Sequence, residues 1–400
     1  MGTYLNPGNT GFERILKNLY IDKTGIIGLL NETINSYDNL TCISRPRRFG
    51  KSFSAQAICA YYDCTCDSHS LFDDKEISKT EHYEEHINKY NIIYLDMSNI
   101  LGNVGPENLV SFIKDSVTKE ILNTYGNVEI KSTFDQTLIN VVEADKHKFI
   151  MIIDEWDAPI RETPKITREY LLFLRTLFNG SGTTAKIFAA VYMTGILPIK
   201  KDGSESAVSD FNEYSVIEAD KFAPYMGFTE SEVEKLCEIN HMDFNEAEEW
   251  YDGYTFGSCH SIYNPYSVMQ AMKRKKYKSY WRKTSKAESL KTYVNMNMDG
   301  LQDKVVRLIA GEPIEVYTED FENDFKTFNS SDDVLTLMIH LGYLAYDYET
   351  SLVRIPNEEL RMEFKRLLKS PNNKRLCELV AESEKLFRDT LNMDETTVVL

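Results

Sequence analysis

The chain has 400 residues, 42% of them hydrophobic and 12% aromatic, enough to bury one sizeable core and leave material for a second domain. A formal net charge of −17 excludes a surface coated in base for non-specific nucleic-acid binding, though not a local basic patch. No stretch is apolar for long enough to span a bilayer, and the first residues lack a basic segment followed by an apolar core, so a cytoplasmic chain with no membrane partner is expected.

In chain order, Leu40 to Ser44 is a short apolar run that feeds directly into RPRRFGKS (Arg45 to Ser52), after which Phe53 to Tyr62 reads as a helix. A second strand is expected at Asn91 to Ser98, helices near Glu107 to Leu122 and Phe134 to Asp145, and a third strand at Phe149 to Asp157. A helix from Thr167 to Phe178, a strand from Ala185 to Gly195 and another at Tyr214 to Asp220 complete the pattern. Apolar strands separated by helices predict an α/β fold with a mostly parallel sheet buried on both faces, whose ligand would lie at the carboxyl ends of the strands.

After Pro224 the texture changes to charged helical segments such as TESEVEKLCEIN and NEAEEWYDGYTFG. The expected division is a sheet module over 1–224, a helical lid region over 225–300 and a winged-helix-like and helical region over 301–400. The last is read from a helix, a strand, a turn at Tyr348 to Ser351 and a second strand.

The loop RPRRFGKS ends like a phosphate-binding loop. Such a loop needs backbone N–H groups aimed at phosphates, a lysine to neutralise them and a hydroxyl for magnesium; Gly50, Lys51 and Ser52 occupy those positions. The first glycine of GxxxxGK[ST] is missing, its place held by Arg45. The helix that follows adds a dipole favourable to an anion. Alone, GKS is a weak signal. Asp154 and Glu155 strengthen it by ending an apolar strand as a Walker B pair does: one carboxylate for the magnesium shell, the other to orient or deprotonate a water. The plainer alternative is two carboxylates capping a helix. Thr194, at the tip of a further strand, is placed to touch the attacking water or the terminal phosphate, or simply satisfies local backbone.

Arg47 and Arg48 either clamp phosphate oxygens or belong to a solvated basic face. The run Lys273 to Lys283, interleaved with Tyr277, Tyr280 and Trp281, would suit a nucleic-acid backbone, but more often such a run is a helix with its aromatic side packed inward. The seven cysteines are odd in number and scattered, and Cys64 and Cys66 lack a second ligand pair, so neither disulfides nor zinc are expected.

The segments YIDKT, RPRRFGKS, IIDEWDAPI, TGILPIKK, WYDGYTFG and YNPYSVM together resemble the bacterial AAA-ATPase-like family, described as predicted AAA-ATPase, from about Tyr20 to about Phe364. That family characteristically reads RPRRFGKS, so Arg45 matches it. The resemblance implies a P-loop NTPase of AAA+ type and a Mg-dependent ATPase with ATP and Mg2+ as cofactors. It assigns Lys51 to the β- and γ-phosphates, Ser52 and Asp154 to the metal, Glu155 to the attacking water and Thr194 to the sensor position, so Lys51, Glu155 and Thr194 are the catalytic candidates; Arg45, Arg47, Arg48, Phe49 and Gly50 are expected to line the nucleotide with Lys51, Ser52 and Asp154. Members often carry a C-terminal PD-(D/E)XK nuclease-like domain, which suggests regulation of a nuclease or defence function. Here no assembled D…(D/E)xK set follows IPNEELRMEF, and the loop after TGILPIKK departs from the family pattern. The rival readings are a nucleotide-gated switch that hydrolyses little and a DNA-binding adaptor. A homo-oligomer, the source of an arginine finger and ATP against GTP stay open.

Overall fold

A computed structural model of the chain describes residues 2–126, 128–178, 182–199, 208, 210–281, 294, 298–319, 321 and 328–368. Five strands, β1 (Leu40–Ser44), β2 (Asn91–Asp96), β3 (Phe149–Asp154), β4 (Phe188–Gly195) and β5 (Asn212–Tyr214), form one parallel sheet in the order β2-β3-β4-β1-β5. Their side chains alternate between two cores. Cys42, Met151, Ile153, Val191 and Met193 pack with the helices Leu109–Tyr125, Phe134–Asp145 and Thr167–Phe178, whereas Ile43, Ile150, Ile152 and Tyr192 pack with the helix Lys51–Tyr62. Burial on both faces removes any polar alternation, which is why these strands read as continuous apolar runs.

The edge of β2 is covered by the N-terminal residues: Asn6 N donates to Ile92 O at 2.9 Å, Tyr94 N to Tyr4 O at 2.8 Å, and Leu5 bridges Ile93. Buried Asn91 fixes this corner, accepting from Asn6 and Tyr125 and donating to Asp145.

The chain divides into two compact units, one of Met1–Pro46, Gly50–Ser215 and Ala219–Met226, the other of Arg47–Phe49, Val216–Glu218 and Gly227–Leu400. The second unit is less purely helical than its sequence suggests. Strands β6 (Phe228–Thr229), β7 (Tyr254–Phe256) and β8 (Cys259–Tyr263) make an antiparallel sheet, and β9 (Ile314–Glu315), β10 (Ala345–Asp347) and β11 (Leu352–Arg354) make another. Strands of two to five residues carry too little periodicity to be read against adjacent helices. Gly253 separates β7 from the preceding helix at φ +103, where a Cβ would lie 2.0 Å from Pro356 O. The helix Ser331–His340 precedes β10, and residues 348–351 turn the chain into β11.

In the basic run, Lys273 and Arg274 sit in the last turn of the helix Pro265–Arg274, favourable to its dipole. Two of its three aromatics pack inward, the commoner arrangement for such a run. Tyr280 and Trp281 are 3% and 4% exposed, and their N–H groups both donate to Glu359 Oε1. Apolar rings this close to a core gain more from burial than from solvent. Arg282, Lys283 and the tail 369–400, where a nuclease region was sought, lie outside the described residues. Among the described residues no helix is long and apolar enough to cross a membrane.

Glu359 is itself fully buried, bonded also to Ser267 Oγ at 2.7 Å. Burial pushes its carboxyl up to about 7, against the opposing pull of those hydrogen bonds. Between its ordinary value and about 7 the folded chain holds a proton that the unfolded chain has released, so this stabilisation is full at lower pH and is lost as pH rises to about 7. Glu359→Gln is expected to remove about 2–3 kcal/mol of that fall. Thermal unfolding of both chains at pH 5 and pH 8 checks it; a difference between them that is the same at both pH values refutes it.

Candidate functional site at the strand carboxyl ends

The parallel register sets four strand ends level. Asp154 pairs with Thr194 across β3 and β4, Ile43 pairs with Thr194 across β1 and β4, and Asp96 lies opposite Asp154 on β2. Beyond β1 the chain turns through Arg45–Gly50 into the helix Lys51–Tyr62, with Gly50 as its N-cap at φ +93. A Cβ at Gly50 would meet nothing within 4 Å, so the backbone angle rather than space calls for glycine. Arg48 also takes a positive φ, +73.

Lys51 is buried, its ammonium donating to the carbonyls of Arg45 (3.1 Å) and Pro46 (2.9 Å) and lying 3.6 Å from Glu155 Oε1. The exposed Ser52 hydroxyl donates to Asp154. Asp154 is 2% exposed, and burial raises its carboxyl to about 6; the Ser52 bond and Lys51 oppose this, while Glu155 and Asp96 add to it. Asp154 Oδ1 and Thr194 Oγ1 are both buried without a hydrogen-bond partner among the described residues. Two adjacent orphaned oxygens are costly in a folded chain unless something outside it completes them. An oxygen-seeking cation with its waters suits that donor set, so the residues present fit magnesium.

Glu155 leaves the strand at φ +54, an uncommon angle for a residue with a Cβ. Its Oε2 accepts from Arg161 Nη2 at 2.7 Å. The Nε of Arg161 donates to Asp157 Oδ2 at 2.7 Å, and the same oxygen accepts the N–H groups of Ile196 and Leu197. Burial disfavours the Arg161 cation, but Asp157 and Glu155 outweigh it and raise its pKa. Trp156 N donates to Thr194 O at 2.9 Å, closing the link between the two strand ends. Sequence reasoning missed Asp96, Asp157 and Arg161. The available signal was the four-residue spacing of Asp157 and Arg161, which puts them on one helical face just after the carboxylate pair.

The structure thus brings Gly50, Lys51, Ser52, Asp154, Glu155 and Thr194 together. Three side chains expected at the nucleotide are engaged elsewhere. Arg45 is fully buried and Nη1 donates to the carbonyls of Ser44, Tyr214 and Ser215 at 2.7–2.9 Å, joining the ends of β1 and β5; burial lowers its pKa to about 9. In the second unit Phe49 is buried against Tyr254 and Phe256, and the Arg48 guanidinium lies 4.1 Å from the Tyr266 ring centroid. Arg47 is partly exposed. Arg45 was expected at the nucleotide, and Arg48 either there or on a solvated face; carbonyl dipoles and an aromatic face satisfy the two within the protein. YIDKT acts as a clasp: Asp22 accepts from Thr24 and from Glu76 N, while Lys23 donates to Pro224 O. Most of the loop 200–215 that departs from the family pattern lies outside the described residues.

Residues 8–204 match the family described as Predicted AAA-ATPase. No curated protein matches the chain. Among solved structures it is similar to the Walker-type ATPase paby2304 of Pyrococcus abyssi, with 12% identity over 86% of this chain and 96% of that one at a TM-score of 0.47. It is also similar to the Aeropyrum pernix ORC2 protein (11%, 93% and 98%, TM-score 0.43) and to AMPPCP-bound DnaA from Aquifex aeolicus (11%, 95% and 95%, TM-score 0.35).

Arg45→Ala strips a donor from three carbonyls in a buried place and is expected to destabilise the chain by about 3 kcal/mol or more. Thermal unfolding without nucleotide measures this. An unchanged melting temperature would show that Arg45 is not a structural staple.

Proposed function

We propose, from the match of residues 8–204 to the predicted AAA-ATPase family together with the geometry at the strand ends, that the chain binds ATP with Mg2+ and hydrolyses it. The observation that carries this is the pair of orphaned buried oxygens, Asp154 Oδ1 and Thr194 Oγ1, set level across β3 and β4, with Ser52 and Lys51 near enough to act on the Asp154 carboxyl. Ser52 and Asp154 are the residues that would hold the cation; magnesium, when bound, supplies positive charge against the phosphate oxygens. Gly50 and the N-terminus of the twelve-residue helix Lys51–Tyr62 offer N–H donors to the same anion.

Lys51 exchanges two backbone carbonyls for phosphate oxygens, a favourable trade because a dianionic acceptor bonds an ammonium more strongly than a neutral carbonyl does. Glu155 orients the attacking water and takes its proton as the oxygen–phosphorus bond to the terminal phosphate forms and the bond to the departing ADP breaks. Thr194 donates its hydroxyl to that water or to the terminal phosphate.

The division into a sheet module (1–224), a lid region (225–300) and a winged-helix-like region (301–400) is part of the same proposal. The helix Ser331–His340 followed by the β10–β11 hairpin supports its last part. With Tyr280 and Trp281 buried, the described part of the basic run keeps one of the three aromatics that a DNA adaptor would stack on bases.

Lys51→Ala is expected to weaken binding of a fluorescent ATP analogue at least about tenfold. Glu155→Gln is expected to keep that binding and to lower steady-state phosphate release about 100-fold. Equal, negligible release by wild type and Glu155→Gln, with binding retained, would sink hydrolysis and leave a nucleotide-gated switch.

A further inference from the structure

Glu155 and its neighbour Asp157 are held in unlike ways. Asp157 is 1% exposed at its side chain, and one of its oxygens receives three donors, Arg161 Nε and the N–H groups of Ile196 and Leu197. It is an anchored carboxylate. Glu155 is 21% exposed on a longer, more rotatable side chain, and its backbone sits at φ +54. Left to itself, such a side chain samples several rotamers, and a misplacement of about 1 Å at a reacting group costs about 100-fold in rate.

Arg161 spans the two. Its side chain is 7% exposed, with Nε on the anchored Asp157 and Nη2 on Glu155, each at 2.7 Å. A planar guanidinium with both ends engaged has one orientation, so the anchored carboxylate sets where Glu155 Oε2 points, while Oε1 lies 3.6 Å from the Lys51 ammonium. The anchor is also part of the Thr194 strand end: Ile196 and Leu197 follow Thr194 and Gly195 directly, and Trp156 N bonds Thr194 O.

Resting on the ATPase reading above, we propose that Arg161 is a positioning residue for Glu155, tying the orientation of its carboxylate, through Asp157, to the end of the Thr194 strand. It acts through Glu155 and does not itself contact phosphate. The proposal accounts for a buried cation that the loop and strand motifs do not use.

The test uses the full chain with Arg161→Met, Arg161→Lys, Glu155→Gln and the double variant Glu155→Gln/Arg161→Met. With MgATP, Arg161→Met is expected to lower kcat about 10- to 100-fold with KM changed less than about twofold. Arg161→Lys, which keeps the charge but loses the fork, should recover part of that loss. In the Glu155→Gln background Arg161→Met should cost less than about twofold more. Without nucleotide, Arg161→Met is expected to lower the melting temperature by about 2–4 °C more in the wild-type background than in Glu155→Gln.

Unchanged or raised kcat in Arg161→Met overturns the proposal, the latter by showing that Arg161 restrains Glu155. A rise in KM matching the fall in kcat overturns it in favour of a phosphate contact, and an undiminished loss in the Glu155→Gln background does so in favour of a general structural role. Should Arg161→Met fail to fold, Arg161→Lys against Glu155→Gln/Arg161→Lys gives the same cycle. Equal, negligible turnover by wild type and Glu155→Gln would instead refute hydrolysis, and the melting cycle, which needs no turnover, then decides the pairing alone: additive penalties overturn it.

Discussion

Parallel pairing of β1, β3 and β4 in one register is the constraint from which the site follows. Because Asp154, Thr194 and Ile43 share a row, the residues just beyond each strand emerge on the same side of the sheet. Hydrogen bonds continue past the strands proper, from Arg45 N to Gly195 O and from Trp156 N to Thr194 O, so the emerging segments start from fixed points. A shift of one residue between β3 and β4 would turn each side chain to the opposite core and separate the two orphaned oxygens. Packing of Met151 and Ile153 on one face and Ile150 and Ile152 on the other therefore also sets the geometry of the polar site.

Charge is concentrated where that row ends. Lys51, Asp154, Asp157 and Arg161 are all nearly removed from water, an arrangement that is costly unless each charge is compensated. Asp157 and Arg161 compensate each other, and Lys51 rests on two carbonyls beside Glu155. Asp154 has no such cation bonded to it: burial raises its carboxyl to about 6, and its Oδ1, like that of Asp157, is unpaired among the described residues.

How much of this was legible depends on what each residue must do. The strands Leu40–Ser44 and Phe149–Asp154 were readable because burial on two faces demands unbroken apolar runs, and the helices Phe134–Asp145 and Thr167–Phe178 because one buried face imposes a helical period. Ala185 to Gly195 read as one strand, yet its start is the end of the short helix Thr183–Ile187; alanine and isoleucine suit either state, and the change comes only at Phe188. The strands β6 to β8 escaped because pairing between distant segments, not local pattern, defines them. At the site, Lys51, Ser52 and Asp154 could be found from spacing. Arg161 could not be tied to Glu155 that way, since only the turn at φ +54 brings residues six apart within 2.7 Å.

The arginine at the head of the loop has a physical explanation of the same kind. A leading glycine is required where the backbone must take a positive φ or pass too close to a neighbour for a Cβ. In this loop the positive angles fall at Arg48 and Gly50, while Arg45 still bonds Gly195 as an extension of β1. Position 45 is therefore free to carry a side chain, and that side chain turns away from the mouth of the loop to the carbonyls of Tyr214 and Ser215 at the end of β5. The edge strand β5 is only three residues long and pairs with β1 alone, so a buried guanidinium adds bonds where its ladder is weakest. What looks like a defect in a phosphate loop works as a staple for the sheet on which the loop is built, leaving the anion to Gly50, Lys51 and the helix that follows them.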